Sequence, residues 1–279
     1  MKSLSAGHIA SAAARSLSLA WAIKITRTDG QVFRYTSGNT SATISGQTYI
    51  AAPGFTVSSI TSTLGYGVDT LEMTVLTTDD MTRADFLAGR WYAARVEFNQ
   101  YDWSTPASGF IPWPTYTISD VTPLQGGFKL ELRDLRQYLR QDHSLSSGPT
   151  CPHRLGSTGD GKCNKDLTSF THPFTVTSVT SRSIFTCSGL AQATDYFSNG
   201  QATFVDGLHG GLPLLIRSHA PGGVITLAVP LIADIVVSQT GTIIAGCLKR
   251  KLEDCITKFA NGLNFGGQDG VTTEELVGT

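Results

Sequence analysis

The chain has 279 residues, 21 Lys and Arg against 22 Asp and Glu, and a formal net charge of −1; only 15% of its residues are charged, against roughly 25% in an ordinary soluble protein. With no long run of either sign, nothing indicates a surface built to hold nucleic acid through its phosphates, and the composition suits either a protein bound into an assembly or a plain low-charge β protein. The longest apolar stretch, residues 224–237, is cut by Pro230 and Asp234 and is too short to span a bilayer, and the first twenty residues, with His8 and Arg15 among them, make a poor secretion signal, so a soluble protein made in the cytoplasm is expected.

The length predicts two domains of about 140 residues each. Short runs of β-branched and aromatic residues separated by turn residues dominate. Ala20–Thr26 and Gln31–Tyr35 flank Arg27-Thr28-Asp29-Gly30, whose Asp-Gly is a hairpin signal. Ile44 and Thr48–Ile50 flank a Ser45-Gly46 turn, and Phe55–Thr61 and Thr70–Leu76 follow. One short helix is predicted over Met81–Leu87, capped by Thr78 or Asp79 and closed by Gly89. Trp91–Phe98 alternates apolar and polar residues like a half-buried strand. Pro106, Pro112 and Pro114 mark an irregular crossing before strands at Tyr116–Val121 and Phe128–Leu132, and Leu132, Leu135 and Leu139 recur at helical spacing.

A composition break at Gln141–Pro149 places the domain boundary, giving an N-terminal domain over 1–145 and a C-terminal domain over 146–279. Strands are predicted in the second half at Phe174–Val179, Ile184–Cys187, Ala202–Val205, Leu214–Ser218, Val224–Val229 and Ile235–Val237, with a turn at Pro221-Gly222-Gly223. The clearest helix runs from Leu248 to about Gly262, with Leu248, Leu252, Ile256, Phe259 and Leu263 as an apolar stripe and Cys255 on its side. The fold class is mainly β (α+β): a barrel or sandwich-like N-terminal domain, and a smaller β-rich C-terminal domain closed by a helix.

All five cysteines, Cys151, Cys163, Cys187, Cys247 and Cys255, lie in the second half. Cys151 and Cys163 bracket CPHRLGSTGDGKC, a loop with three glycines and almost no apolar residues, which cannot hold its shape by burial. Three readings stay open: unrelated packed thiols; disulfides, disfavoured in a reducing compartment; and Cys151, Cys163, Cys247 and Cys255 as four thiolates on one metal centre. Eleven residues separate the first pair and seven the second, wider than the two to four of zinc ribbons, which suits a larger cluster better than a single ion. Arg154, Lys162, Lys165, Lys249, Arg250 and Lys251 flank these cysteines and would either offset a cluster's negative charge or stand as solvated surface charges. His153 is a further candidate ligand, although a lone His beside a Cys is more often incidental.

LAWAIKITRTDGQVFRYT, GQTYIAAPGFTVSSITSTLGYGVDTLEM and DFLAGRWYAARVEFNQYDW in the first half, and CPHRLGSTGDGKCN and AGCLKRKLEDCITKFANGLNFGG in the second, resemble the baseplate and tail-tip hub proteins of long-tailed (siphovirus-type) phages and gene transfer agents. The motifs run in the family's order over roughly nine tenths of the chain. The resemblance implies a ring-forming structural hub at the virion tail tip, a homotrimer, with a distal tail protein ring above it and a tip or fibre receptor-binding protein below. A tape-measure protein and a tail-tip peptidase are further implied partners. It implies a [4Fe-4S] cluster on Cys151, Cys163, Cys247 and Cys255, with Cys187 a core thiol and Phe259 and Phe265 shielding the centre. Asn261 or Gly262 would end the helix, and Asn264 has no role that follows from the sequence. The second cysteine pair is one residue longer than the family's spacing, which on an α-helix turns Cys255 by about 100°, and the tail QDGVTTEELVGT is longer and more acidic than the family's.

Other function classes find less support. There is no G-x-S-x-G, H-E-x-x-H, P-loop or G-x-G-x-x-G. His143, His153 and His172 near the cysteines leave a Cys–His hydrolase attacking peptidoglycan as the enzymatic alternative, and a zinc-stabilised interaction module is the third.

Overall fold

The computed structural model describes residues 18–51, 55–58, 69–139 and 148–268, together with the single positions 9 and 13. Two units are resolved, Met1–Asp142 and His143–Thr279. The tail from 269 onward, His143, and most of the segment read as the domain boundary lie outside the described residues.

In the first unit nine strands form one sheet in the order β3-β4-β2-β1-β7-β8-β9-β6-β5. They are β1 Leu19–Thr26, β2 Val32–Thr36, β3 Ala42–Ile44, β4 Gln47–Ala51, β5 Phe55–Val57, β6 Thr70–Leu76, β7 Arg95–Asp102, β8 Ile111–Leu124 and β9 Gly127–Asp134. Neighbours are antiparallel except for β2 with β4. The first two hairpins fall where Asp-Gly and Ser-Gly predict them, and Ser45 and Gly46 both take φ > 0, as a tight two-residue turn requires. One face of the sheet curls around a core in which Ile23 and Ile25 of β1 share a cluster with Leu71, Met73 and Val75 of β6 and Phe128, Leu130 and Leu132 of β9. Phe128 is fully buried and stacks on Phe86 at 4.3 Å.

Several local expectations are corrected here. The short helix is α1, Arg83–Leu87, capped by Thr82, whose hydroxyl accepts from Asp85 N, while Thr78 instead receives the Met81 N–H. Trp91–Ala94 is a turn, so the predicted strand starts four residues late, at Arg95. Pro112 and Pro114 lie inside β8, opposite a register shift between Glu97 and Asn99 that relieves the missing ladder donors. The Leu132, Leu135, Leu139 spacing is no helix face: Leu132 is in β9, and α2 covers only Arg136–Leu139, with Leu135 and Leu139 exposed. Polar contacts hold it instead, through Arg136 donating to both Asp69 and Asp134.

The closed barrel belongs to the second unit, not the first. Its order is β10-β11-β14-β13-β12-β15, made of β10 Thr171–Ser181, β11 Ile184–Ser188, β12 Gln201–Phe204, β13 Leu214–Ala220, β14 Val224–Leu227 and β15 Thr240–Ile244. β15 closes the ring by pairing with both β10 and β12. The expected strand at Ile235–Val237 is not formed: Val236 is 64% exposed, and the segment is held as a turn by Gln239, whose amide donates to Asp206 O at 2.7 Å and whose carbonyl receives Val236 N–H. The real strand holds Gly241 because a Cβ there would lie 2.4 Å from Thr203 O and 2.6 Å from the Phe174 ring. Cys187 is buried among the barrel's core residues, and burial pushes its thiol up to about 12. Among the described residues no helix is long and apolar enough to cross a membrane.

Beyond β15 the chain crosses residues 198–200 at very short range. A Cβ on Gly246 would sit 1.7 Å from Ser198 O, and Gly246 N donates to Tyr196 O at 3.1 Å.

Two substitutions test this packing in the full chain. Phe128→Ala removes a ring from the sheet core and is expected to cost about 3–5 kcal/mol, read as a lower denaturant midpoint for the first unit. Gly246→Ala forces two main chains apart and is expected to cost the barrel about 1–3 kcal/mol, whereas Gly148→Ala, with open space around it, stays within about 0.5 kcal/mol of the parent. Equal thermal midpoints for the two glycine variants would contradict the close crossing.

Candidate functional site

The four candidate cysteines come from three segments of the second unit. Cys151 and Cys163 end the glycine-rich loop, Cys247 lies on the extended stretch after β15, and Cys255 sits within a π-helix spanning Lys251–Lys258. The loop ties itself with side-chain to main-chain bonds that its sequence did not advertise. Asn164, at φ 51°, accepts Gly159 N–H and donates to Gly159 O, both at 2.8 Å, and Ser157 Oγ donates to Arg154 O at 2.8 Å.

Both ends of the loop are then pinned to the 247–261 segment. Cys151 N donates to Lys249 O at 3.1 Å, and Lys249 Nζ returns a bond to His153 O. At the other end Asn261 Nδ2 donates to Cys163 O at 2.6 Å.

The expected α-helix from Leu248 to Gly262 is therefore corrected. Lys249 takes φ 69°, which breaks any helix before Arg250, so Cys247 is not on the helix at all. Asp254, buried, accepts from Arg250 N at 3.1 Å and Arg250 Nε at 3.0 Å and so starts the helix one turn in. Wide turns follow: Cys255 N reaches Arg250 O and Phe259 N reaches Asp254 O, both five residues back. The helix closes with Asn261 N on Cys255 O at 2.7 Å around Ala260 in the left-handed region, an αL closure without glycine. The extra residue between Cys247 and Cys255 thus turns nothing by 100°, because no continuous α-helix connects them. Nor is the predicted apolar stripe a buried face: Leu252, Ile256 and Leu263 are exposed, and only Phe259 is buried, against Phe170 at 4.9 Å.

Cys151, Cys163, Cys247 and Cys255 nevertheless line a single cavity, together with His153, Lys249, Arg250, Phe259, Asn261 and Asn264. Burial pushes the Cys247 and Cys255 thiols up, and for Cys255 the neighbouring Cys151, Cys163 and Cys247 add to the rise. At Cys247 and Cys255 burial and like charge thus disfavour the thiolate. Among the described residues no three His, Cys, Asp or Glu side chains are grouped so as to hold a metal ion. The four-cysteine centre expected from the sequence is therefore present as a common cavity and not as a closed coordination shell.

Of the six basic residues flanking the cysteines, only Lys249 and Arg250 line this cavity. Lys165 lies over the Phe170 ring at 5.2 Å and Lys251 over the Phe265 ring at 5.9 Å. Phe259 lines the cavity as expected of a shield, and Phe265 packs beside Gly267 instead. His172 is away from the thiols, with Nδ1 3.3 Å from the Gln192 amide. The thiol contacts of Cys163 and Cys255 run to Asn261, at 3.6 and 3.1 Å, rather than to an imidazole. Asn261 and Asn264 also line the cavity, a placement that the sequence alone did not give them.

Comparison with known proteins fits this layout. Residues 5–166, which include Cys151 and Cys163, match the family described as baseplate hub protein, N-terminal attachment domain. Residues 195–275, which include Cys247 and Cys255, match the family described as phage conserved hypothetical protein BR0599. Among solved structures, the chain is similar to one in the virion of a native gene transfer agent particle, at 26% identity and a TM-score of 0.84, over 98% of this chain and 95% of that one. No curated protein matches. With more than half of its length inside the first of these matches, the chain belongs to the baseplate hub protein family.

Proposed function

We propose that the chain acts as a structural, non-enzymatic hub of a phage-type tail tip, and that Cys151, Cys163, Cys247 and Cys255 together hold a [4Fe-4S] cluster that staples its second unit. The observation that carries the metal reading is the convergence of four thiols from three segments on one cavity. Zinc ribbons space their paired ligands two to four residues apart, whereas eleven and seven residues separate the two cysteine pairs here, a spacing that suits a larger cluster better than a single ion. When bound, such a cluster supplies positive metal centres that stabilise thiolates and link segments distant in sequence. Lys249 and Arg250 offset part of the charge, and Phe259 keeps water off one side.

In this reading the hub is a homotrimer, assembled in the host bacterial cytoplasm. It joins the distal tail protein ring above to a tip or fibre protein below, with the tape-measure protein and a tail-tip peptidase as further neighbours. The similarity to a chain of a gene transfer agent virion over nearly the whole length supports the placement in a tail, and the low charge of the chain suits burial in contacts with other subunits.

Iron, zinc and acid-labile sulfide per chain in anaerobically purified protein test the metal reading. About four irons and four sulfides are expected; zinc without iron or sulfide would replace the cluster by a zinc-stabilised module. Ser at any one of positions 151, 163, 247 or 255 is expected to give colourless protein that no longer enters particles, and Cys187→Ser to keep its colour. The non-enzymatic reading is tested by incubation with peptidoglycan, where no cleavage is expected. Cleavage that disappears in Cys151→Ala with metal content unchanged would instead establish the Cys–His hydrolase.

A further inference from the structure

We infer that Asn261 is a positioning residue of the four-thiol site, gripping Cys163 through its side chain and Cys255 through its main chain, and that Asn264 sets the orientation of its amide; this rests on the metal reading above. Asn261 Nδ2 donates to Cys163 O at 2.6 Å and lies 3.6 Å from Cys163 Sγ, within hydrogen-bond range of sulfur. Its main chain holds Cys255 through Asn261 N, which donates to Cys255 O at 2.7 Å; the 3.1 Å contact of Cys255 Sγ with Asn261 O is made by the protonated thiol and is given up when that sulfur ligates as thiolate. One residue therefore touches two of the four thiol-bearing residues, one of them 98 positions away.

The side chain is not spent on closing the helix. That closure uses the Asn261 main-chain N–H, which any residue but proline supplies, so the carboxamide is free for Cys163. Its sense is fixed as well. Asn264 Nδ2 donates to Asn261 Oδ1 at 2.8 Å, so the oxygen faces Asn264 and the NH₂ faces the cysteine. Reversing the amide would set two NH₂ groups against each other and point an oxygen at both Cys163 O and its sulfur. A fixed N–H donor beside a ligating sulfur is the kind of outer contact that orients a ligand and tunes the potential of a cluster.

Asn261→Asp tests this, since it keeps the shape and the main-chain bonds but replaces the donor by a carboxylate oxygen. In the metal-loaded full chain, the variant is expected to retain the barrel's thermal transition, to release metal to a chelator at least about tenfold faster, and to show a more negative midpoint potential with a shifted visible spectrum. Asn264→Ala is expected to move the same readouts in the same direction by less. Wild-type release rate and potential in Asn261→Asp overturn the inference. Wild-type protein found to contain no metal sinks the metal reading instead, and the positioning is then read in the metal-free chain. There the yield of Cys163–Cys255 crosslinking by a short bismaleimide drops several-fold in Asn261→Asp if Asn261 holds the two together, and an unchanged yield overturns it.

Discussion

Two hydrogen bonds onto main-chain carbonyls, from Cys151 N to Lys249 O and from the side-chain Asn261 Nδ2 to Cys163 O, govern the geometry of the whole site. The loop between those cysteines has almost no apolar surface, and ordering each of its residues costs about 1–2 kcal/mol of backbone entropy. Hydrophobic burial cannot offset that here. The Ser157 and Asn164 bonds recover part of it within the loop, and the two pins then fix its ends against the 247–261 segment. Without the pins, Cys151 and Cys163 would belong to a surface loop, and the other two cysteines would have no counterpart.

The 247–261 segment is itself fixed from the barrel side. Gly246 lets the chain leave β15 against the main chain of residues 198–200, a distance no side chain permits. Lys258, at the far end of the π-helix, donates to Tyr196 O and to Gly246 O and lies 4.3 Å from the Tyr196 ring. Burial lowers its pKa, the direction expected of an ammonium taken out of water, and the two carbonyls and the aromatic face offset part of that loss. The start and the end of the segment are thus tied to the same residue, Gly246, and Cys247 and Cys255 lie within that clasp.

The parts of this arrangement readable from sequence are those set by local chemistry. Asp29-Gly30, Ser45-Gly46 and Pro221-Gly222-Gly223 turn where their backbone preferences dictate, and the β-branched runs form strands. Four cysteines around a loop without a core pointed to a common location, which the structure shows as a shared cavity, and Cys187, in an alternating strand, to a packed thiol. What stayed hidden depends on long-range pairing. Ile235–Val237 has stronger strand composition than Thr240–Ile244, yet the ladder selects the latter because only Gly241 fits beneath Phe174. Barrel closure in the second half and an open sheet in the first follow from which strand ends find partners, a property no single segment carries. The π-helix escaped for a similar reason: the spacing of Leu248, Leu252, Ile256 and Phe259 suits an α-helix, but the φ of Lys249 and the buried Asp254 carboxylate delay its start and widen its turns.

The division of labour within the second unit follows from where its apolar residues lie. The barrel core gathers Phe174, Phe185, Phe197, Phe204, Ile216, Ile225 and Ile243 around Cys187, and none of the four cavity cysteines belongs to it. At the thiol site Phe259 is buried against the half-buried Phe170. The barrel has one contiguous apolar core, whereas the loop and the π-helix rest mainly on hydrogen bonds, each worth about 1 kcal/mol net. Any additional link among the four sulfurs therefore acts outside the apolar core.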